Sequence, residues 1–205
     1  MSDVSVTAVC VGELGELTQG ERTVPSAFDK RPVAGAVRLT AGGVVGDAIG
    51  NTRDHGTPDK AALLYPAVHH DRWAEQFGKP IGPGGLGENV TLAGVTEADV
   101  CVGDTWRLGS AVVQVTQPRH PCWKIDAHHG VAGLTAAVLG SGATGWYVRV
   151  LDDGDVAAGD VAELVERPHA EMSVQRCNDV FLRRNDWQDE WAAIVACEAL
   201  SREWV

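Results

Sequence analysis

The chain has 205 residues, a formal net charge of −11, 44% hydrophobic and 22% charged residues. These values exclude disorder through low hydrophobicity, allow one sizeable domain with or without a small appendage, and argue against a polyanion such as nucleic acid as a general partner. Five cysteines at wide spacings, with no Cys-x-x-Cys, argue against a disulfide framework or a structural zinc site. The first ten residues carry no basic-then-apolar leader pattern and no segment reads as a membrane span, so a cytoplasmic protein is expected.

In chain order, residues 4–11 are valine-rich and predict a strand, whereas residues 12–32 are polar and punctuated and read as a loop or irregular arm. Residues 36–39 and 44–47 are short strand candidates joined by the turn Ala41-Gly42-Gly43. A polar loop at 55–60 precedes an apolar run at 61–65 that Pro66 ends. Residues 67–77 predict a helix with Val68, Trp73 and Phe77 on one face, closed by Gly78 and Pro80. A glycine-rich loop at 81–87 leads into strands at 90–92, 105–108 and 111–116, with Gly109-Ser110 as a hairpin turn. Residues 134–139 form a short helix, and 146–151 and 161–165 are closing strands. Twenty-four glycines and many short strands with frequent turns predict a mainly β fold with some α, a barrel or a strongly curved sheet. Beyond Pro168 glycine disappears, and residues 174–183 and 186–197 read as helices, the second capped by Asp186. The expected organisation is therefore a β domain over 1–167 and a helical appendage over 168–205.

Three segments carry chemistry. Residues 117–124, Gln-Pro-Arg-His-Pro-Cys-Trp-Lys, follow a predicted strand; two prolines stiffen the backbone around Cys122, and Arg119 and Lys124 place positive charge beside it. Cationic neighbours favour the thiolate, the nucleophilic and metal-binding form, although a buried, inert thiol is the commoner fate of a cysteine. Residues 55–60, His-Gly-Thr-Pro-Asp-Lys, offer Lys60 as a point charge for a phosphate and His55 as a donor to an anion; a plain solvated loop is the alternative. Residues 84–89, Gly-Gly-Leu-Gly-Glu-Asn, have glycines that can turn N–H groups toward an anion, but match neither a Walker A nor a Rossmann pattern. Of the paired histidines, at least one of His69 and His70 is expected at the surface, and His128-His129 in a flexible loop. A lysine Schiff base with pyridoxal phosphate, at Lys60 or Lys124, is a weaker alternative.

Taken in order, His55–Lys60, Tyr65-Pro66, Trp73, Gly87–Asn89, Gly103-Asp104, Gln117–Lys124, Gly145–Tyr147 and Gly159-Asp160 resemble the MOSC domain of YiiM-like proteins. The resemblance runs from about Gly42 to Pro168, and the tail is similar to the short three-helix segment that follows in that subfamily. The aromatic that relatives often carry after the second helix histidine is Asp71 here. The family implies a β-barrel that binds a pyranopterin molybdenum cofactor, with Cys122 as the metal's thiolate ligand and His55, Lys60, Asn89, Arg119 and Lys124 around the cofactor. It implies reduction of N-hydroxylated compounds, such as N-hydroxylated bases, to amines. The chain has no flavin fingerprint, haem Cys-x-x-Cys-His or ferredoxin cysteine set, so electrons are expected from a separate redox partner. A non-catalytic carrier of the cofactor, or of sulfur as a persulfide on Cys122, is the competing expectation.

Overall fold

The computed structural model describes residues 3–50 and 56–204. Thirteen strands and five α-helices are formed among them. The main sheet has eight strands. They are β1 (Ser5–Gly12), β4 (Lys30–Pro32), β7 (Ala62–Pro66), β8 (Val90–Ala93), β9 (Thr105–Leu108), β10 (Ala111–Pro118), β11 (Trp146–Asp152) and β13 (Ala162–Glu166). Their order is β13-β9-β10-β11-β7-β8-β1-β4. A smaller sheet joins β12 (Gly154–Val156), β5 (Val37–Thr40) and β6 (Gly43–Val44).

The expected barrel is present only as this open order. A single bridge, Ser5 to Val161, links β1 to the residues entering β13, supported by N–H donation from Val6 to the Asp160 carbonyl and from Ala162 to the Val4 carbonyl, each 2.8 Å. One bridge is not a ladder, and the described strands form no continuous closure.

All five residues of β7 are buried, as suits an inner strand covered on both faces. Its parallel pairing with β8 is bridged by α1 (Val68–Phe77), which Gly78 ends in the left-handed conformation at φ 62°. His70 and Trp73 face inward from α1, whereas Val68 is exposed, so the predicted apolar face is rotated by part of a turn. The 9–10 hairpin forms as read from Gly109-Ser110.

Residues 12–32, expected to be irregular, instead build β4 and a hairpin of β2 (Gly15–Gln19) and β3 (Arg22–Ser26). Most hairpin side chains are exposed on both faces, so there was no apolar alternation to betray the strands.

Three apolar clusters hold the molecule. The largest lies on the sheet and includes Val6, Leu64, Leu108, Val113, Val115 and Val148. A second packs Tyr65 and Trp73 against Leu86, Ile125, Leu134 and Val138, joining α1 to α2 (Lys124–His129) and α3 (Leu134–Ser141). The third seats the two tail helices, α4 (Val174–Leu182) and α5 (Gln188–Val195), on Val102 through Cys177, Val180, Ile194 and Trp204. Two helices followed by turns stand where the resemblance implied three. No helix among the described residues is long and apolar enough to cross a membrane.

Candidate functional site

The site begins with a fault in a strand. Along β10, Ala111, Val113 and Val115 point into the core and alternate with half-buried Val112 and Gln114. The register against β11 then shifts between Val115 and Gln117, and Thr116, Gln117, Pro118 and Arg119 are all buried. A bulge of this kind re-aims the side chains that follow it. The chain next passes through Pro121 and Cys122 into α2. The Cys122 carbonyl accepts bonds from Ile125 N–H at 3.1 Å and Thr135 Oγ1 at 3.2 Å, so its backbone is fixed from both α2 and α3. Asp126 locks the two helices together by accepting from Thr135 N–H at 2.6 Å and from Gly133 N–H at 3.0 Å.

Cys122 lies on the wall of a cavity of about 340 Å³. Lys60, Asn89, Arg119 and Lys124 line the same cavity, so five of the six nominated side chains meet there; His55 lies outside the described residues. The wall carries four cations, Lys30, Lys60, Arg119 and Lys124, against Asp47 as its one carboxylate among the described residues. In a chain of net charge −11 this is a local reversal of sign, and it suits an anionic ligand.

The cations are not equivalent. Lys30 is paired with Asp47, and Lys60 lies 2.9 Å from Glu203. Arg119 is buried; its Nη2 donates to the Leu86 carbonyl at 2.9 Å, while Nη1 is buried with no hydrogen-bond partner among the described residues. Gln117 Oε1 is likewise buried and unpartnered, its Nε2 donating to Pro118 O. Two orphaned polar atoms, a cationic donor and an amide acceptor, therefore stand two residues apart at one cavity wall. Leaving such atoms unmade is costly, which argues for a partner beyond the described residues. Tyr147 completes this side, and burial raises its phenol above the usual range despite the nearby Arg119 charge. His120, also on the wall, packs edge-on to Phe181 of α4 at 4.5 Å; partial desolvation and the charges of Arg184 and Arg119 hold its imidazole below the usual range.

Asn89, on the cavity wall, also has a bracing role. Its Oδ1 accepts from Leu63 N–H at 3.2 Å, and its Nδ2 donates to Cys10 O at 3.3 Å and Asp47 Oδ2 at 2.9 Å. With its amide engaged this way it braces Asp47, and through Asp47 it braces Lys30.

The glycine-rich loop also differs from its reading. Its N–H groups do face an anion, but that anion is Glu88: Gly84 N–H donates to Oε1 at 2.9 Å and Leu86 N–H to Oε2 at 3.0 Å. His70 Nε2 stands 2.8 Å from the same carboxylate. Burial would raise the Glu88 carboxyl, but the bond and charge of His70 with the loop N–H groups outweigh it and hold the group below the usual range. Neither helix histidine is free at the surface, because His69 is half-buried with Nε2 2.8 Å from the buried Glu97. The pair His128-His129 belongs to the end of α2 rather than to a loop, with His129 Nε2 2.7 Å from the Gly85 carbonyl.

The five cysteines separate cleanly by environment. Cys10, Cys101 and Cys177 are buried. Desolvation raises all three thiols, Cys10 and Cys177 to about 12. Cys122 and Cys197 are half-buried, and of these two Cys122 lines the cavity. Among the described residues no three His, Cys, Asp or Glu side chains gather as a metal cage, so a metal held here would have to bring most of its ligands with it.

Sequence reasoning missed Lys30, which lies in the polar arm, Asp47, at the end of a short strand candidate, and Glu203, which lies in the tail. No local pattern marks any of them; only the fold brings Lys30 and Asp47 to the cavity and Glu203 to Lys60.

The MOSC domain model matches residues 51–163. The chain belongs to the MOSC-domain family. This MOSC protein is 38% identical over 200 residues to YflK of Bacillus subtilis (strain 168), covering 98% of this chain and 90% of that protein. It superposes on the crystal structure of YiiM from Geobacillus stearothermophilus with a TM-score of 0.82 and 35% identity, over 98% of this chain and 95% of that one. A protein of Gibberella moniliformis (strain M3125 / FGSC 7600) named "Reductase" is 33% identical over 166 residues, which are 79% of this MOSC chain but 29% of that protein. The motifs shared in order with YiiM-like proteins divide in two: residues 117–124 and Lys60 build the cavity, while Asp104 and Asp160 are structural. Asp104 accepts from Cys101 N–H at 2.8 Å and pairs with Arg167 at 2.6 Å, and Asp160 accepts from Ala157 N–H at 2.8 Å.

Proposed function

We propose that this MOSC protein binds a pyranopterin molybdenum cofactor in the cavity, with Cys122 as the protein's thiolate ligand, and reduces N-hydroxylated compounds to amines. The observation that carries the proposal is the placement of Cys122 on the wall of a cavity that also presents four cations and two buried polar atoms without partners. A soft thiolate suits molybdenum. An anionic cofactor suits the remaining charges: Arg119 Nη1 is a donor awaiting an acceptor, Gln117 Oε1 an acceptor awaiting a donor, and Lys60 and Lys124 can hold a phosphate. When bound, the cofactor supplies two-electron chemistry for cleaving an N–O bond. The chain's own groups bind and orient. His120 is held neutral at neutral pH beside the cavity, so it can accept or relay a proton rather than repel a cationic base. The protein named "Reductase" lends support to an oxidoreductase reading, and a separate redox protein is proposed as the electron source.

The test is elemental analysis of protein expressed with molybdate. Wild type should carry molybdenum near one atom per chain, and Cys122→Ser should lose most of it while keeping its fold by circular dichroism. Equal molybdenum in both proteins would remove Cys122 as the ligand. No molybdenum in either, with extra sulfur on Cys122 by mass spectrometry, would replace the reductase with the carrier.

A further inference from the structure

The helical tail ends against Lys60, one of the residues that line the cavity. Beyond α5 the Ser201 N–H donates to the Thr116 carbonyl of β10 at 3.0 Å, and the Trp204 ring packs against Phe181 and Trp191 with centroids 5.4 and 5.6 Å apart. Between these anchors stands Glu203. Its Oε2 lies 2.9 Å from Lys60 Nζ and accepts from Thr57 Oγ1 at 3.2 Å. Lys60 sits at the end of the short 3-10 turn Pro58–Lys60, and that turn is tied to the same neighbourhood twice more. The Asp59 carbonyl accepts from Thr116 Oγ1 at 2.6 Å, and the Asp59 carboxylate lies 3.0 Å from Arg149 Nε. Arg149 Nη2 in turn donates to the tail carbonyl of Ala199 at 3.0 Å. The tail thus grips the turn that presents a cavity lysine, and it does so partly with a carboxylate on that lysine.

We propose that Glu203 is an internal competitor for the anionic ligand of the cavity, so that the C-terminal segment sets how tightly the Lys60 corner holds a phosphate-like group. The proposal rests on the reading of the cavity as an anion site. Carboxylate and phosphate oxygens are alternative acceptors for one ammonium group, so a phosphoryl group arriving at Lys60 must displace Glu203 or share the lysine with it. Burial decides which partner yields. The Lys60 side chain is 11% exposed and Glu203 41%, so the glutamate can return to water at little cost while the lysine stays at the wall. Departure of the carboxylate need not free the tail, because the Ser201 and Trp204 anchors do not involve it.

The experiment is calorimetric titration of the cofactor-free, full-length protein with inorganic pyrophosphate at low ionic strength. Glu203→Gln should bind pyrophosphate about threefold more tightly than wild type, the size expected for removing a half-exposed ion pair. Glu203→Asp should fall between the two. Glu198→Gln, which makes the same charge change at an exposed tail residue away from Lys60, should bind like wild type. Should Glu203→Gln fail to fold, Thr57→Val removes the second bond to the same carboxylate and should shift affinity in the same direction. Equal affinity for wild type and Glu203→Gln, or equal tightening by Glu198→Gln, would overturn the competition and leave the anion site standing. Failure of wild type and Glu203→Gln alike to bind pyrophosphate would overturn the anion-site reading and the competition together.

Discussion

Two clusters of buried charge sit on either side of Leu86, and they follow opposite rules. On one side Glu88, fully buried, accepts from the N–H groups of Gly84 and Leu86, from His70, and from Thr91 Oγ1 at 3.3 Å. An ionised carboxylate only accepts, so His70 Nε2 carries the shared proton. On the other side Arg119 gives one bond to the Leu86 carbonyl and leaves Nη1 unmatched, and Gln117 leaves Oε1 unmatched. A buried charge whose partners are all in the chain is a device of the fold; one with unmet partners at a cavity wall is a device for something that arrives. The glycine-rich loop, whose N–H groups might have been taken for an anion site, belongs to the first kind.

The largest effect should come from the cavity side. Cys122→Ser should abolish the proposed reduction of N-hydroxylated substrate, yet shift the urea midpoint little, because the side chain is half-buried outside the three apolar clusters. An inactive variant that is also strongly destabilised would make Cys122 a core residue instead. Glu88→Gln should do the reverse and cost about 3 kcal/mol in urea unfolding at pH 7 by breaking a buried charged network. The folded Glu88 carboxyl lies below its unfolded value. Its stabilisation is therefore complete above the ordinary carboxylate range and is lost as pH falls through the lower folded value, so the gap between variant and wild type should shrink below about pH 4. A gap independent of pH would mean the loss is one of packing. Arg119→Met should weaken pyrophosphate binding about tenfold, the worth of one charge-assisted bond, with stability falling by no more than about 2 kcal/mol, since the Leu86 carbonyl loses its donor while an orphaned donor is removed. A large fall in stability would place Arg119 with the Glu88 cluster. The smallest effect is on labelling: iodoacetamide should modify Cys122 and Cys197 in the native protein and reach Cys10 and Cys177 only after unfolding, as peptide mapping can show. Native modification of Cys10 would contradict a thiol raised to about 12 by burial.

Much of the site was legible because it is local. The run Gln117-Pro118-Arg119-His120-Pro121-Cys122-Trp123-Lys124 carries its prolines, its cations and its thiol within eight residues, and a β-strand with period-two alternation leads into it. The Gly109-Ser110 hairpin, the Gly78 stop of α1 and the two tail helices were readable for the same reason. The β2–β3 hairpin was not, since strands exposed on both faces leave no apolar signature, and nothing in the neighbours of Asn89 shows that its amide also engages Leu63, Cys10 and Asp47.

By itself the sequence determined most element types outside residues 12–32, the family and the thiol with its cationic neighbours, all of which depend on residues close together in the chain. The tertiary structure alone decided that Lys30 and Lys60 meet the segment at 117–124, that Glu203 meets Lys60, that the glycine loop serves Glu88, and that the sheet is ordered as an open run of eight strands. The reason is physical: a charge acquires its role from what it is buried against. Those partners come from segments as far apart as Thr57 and Glu203, whose proximity no local pattern encodes.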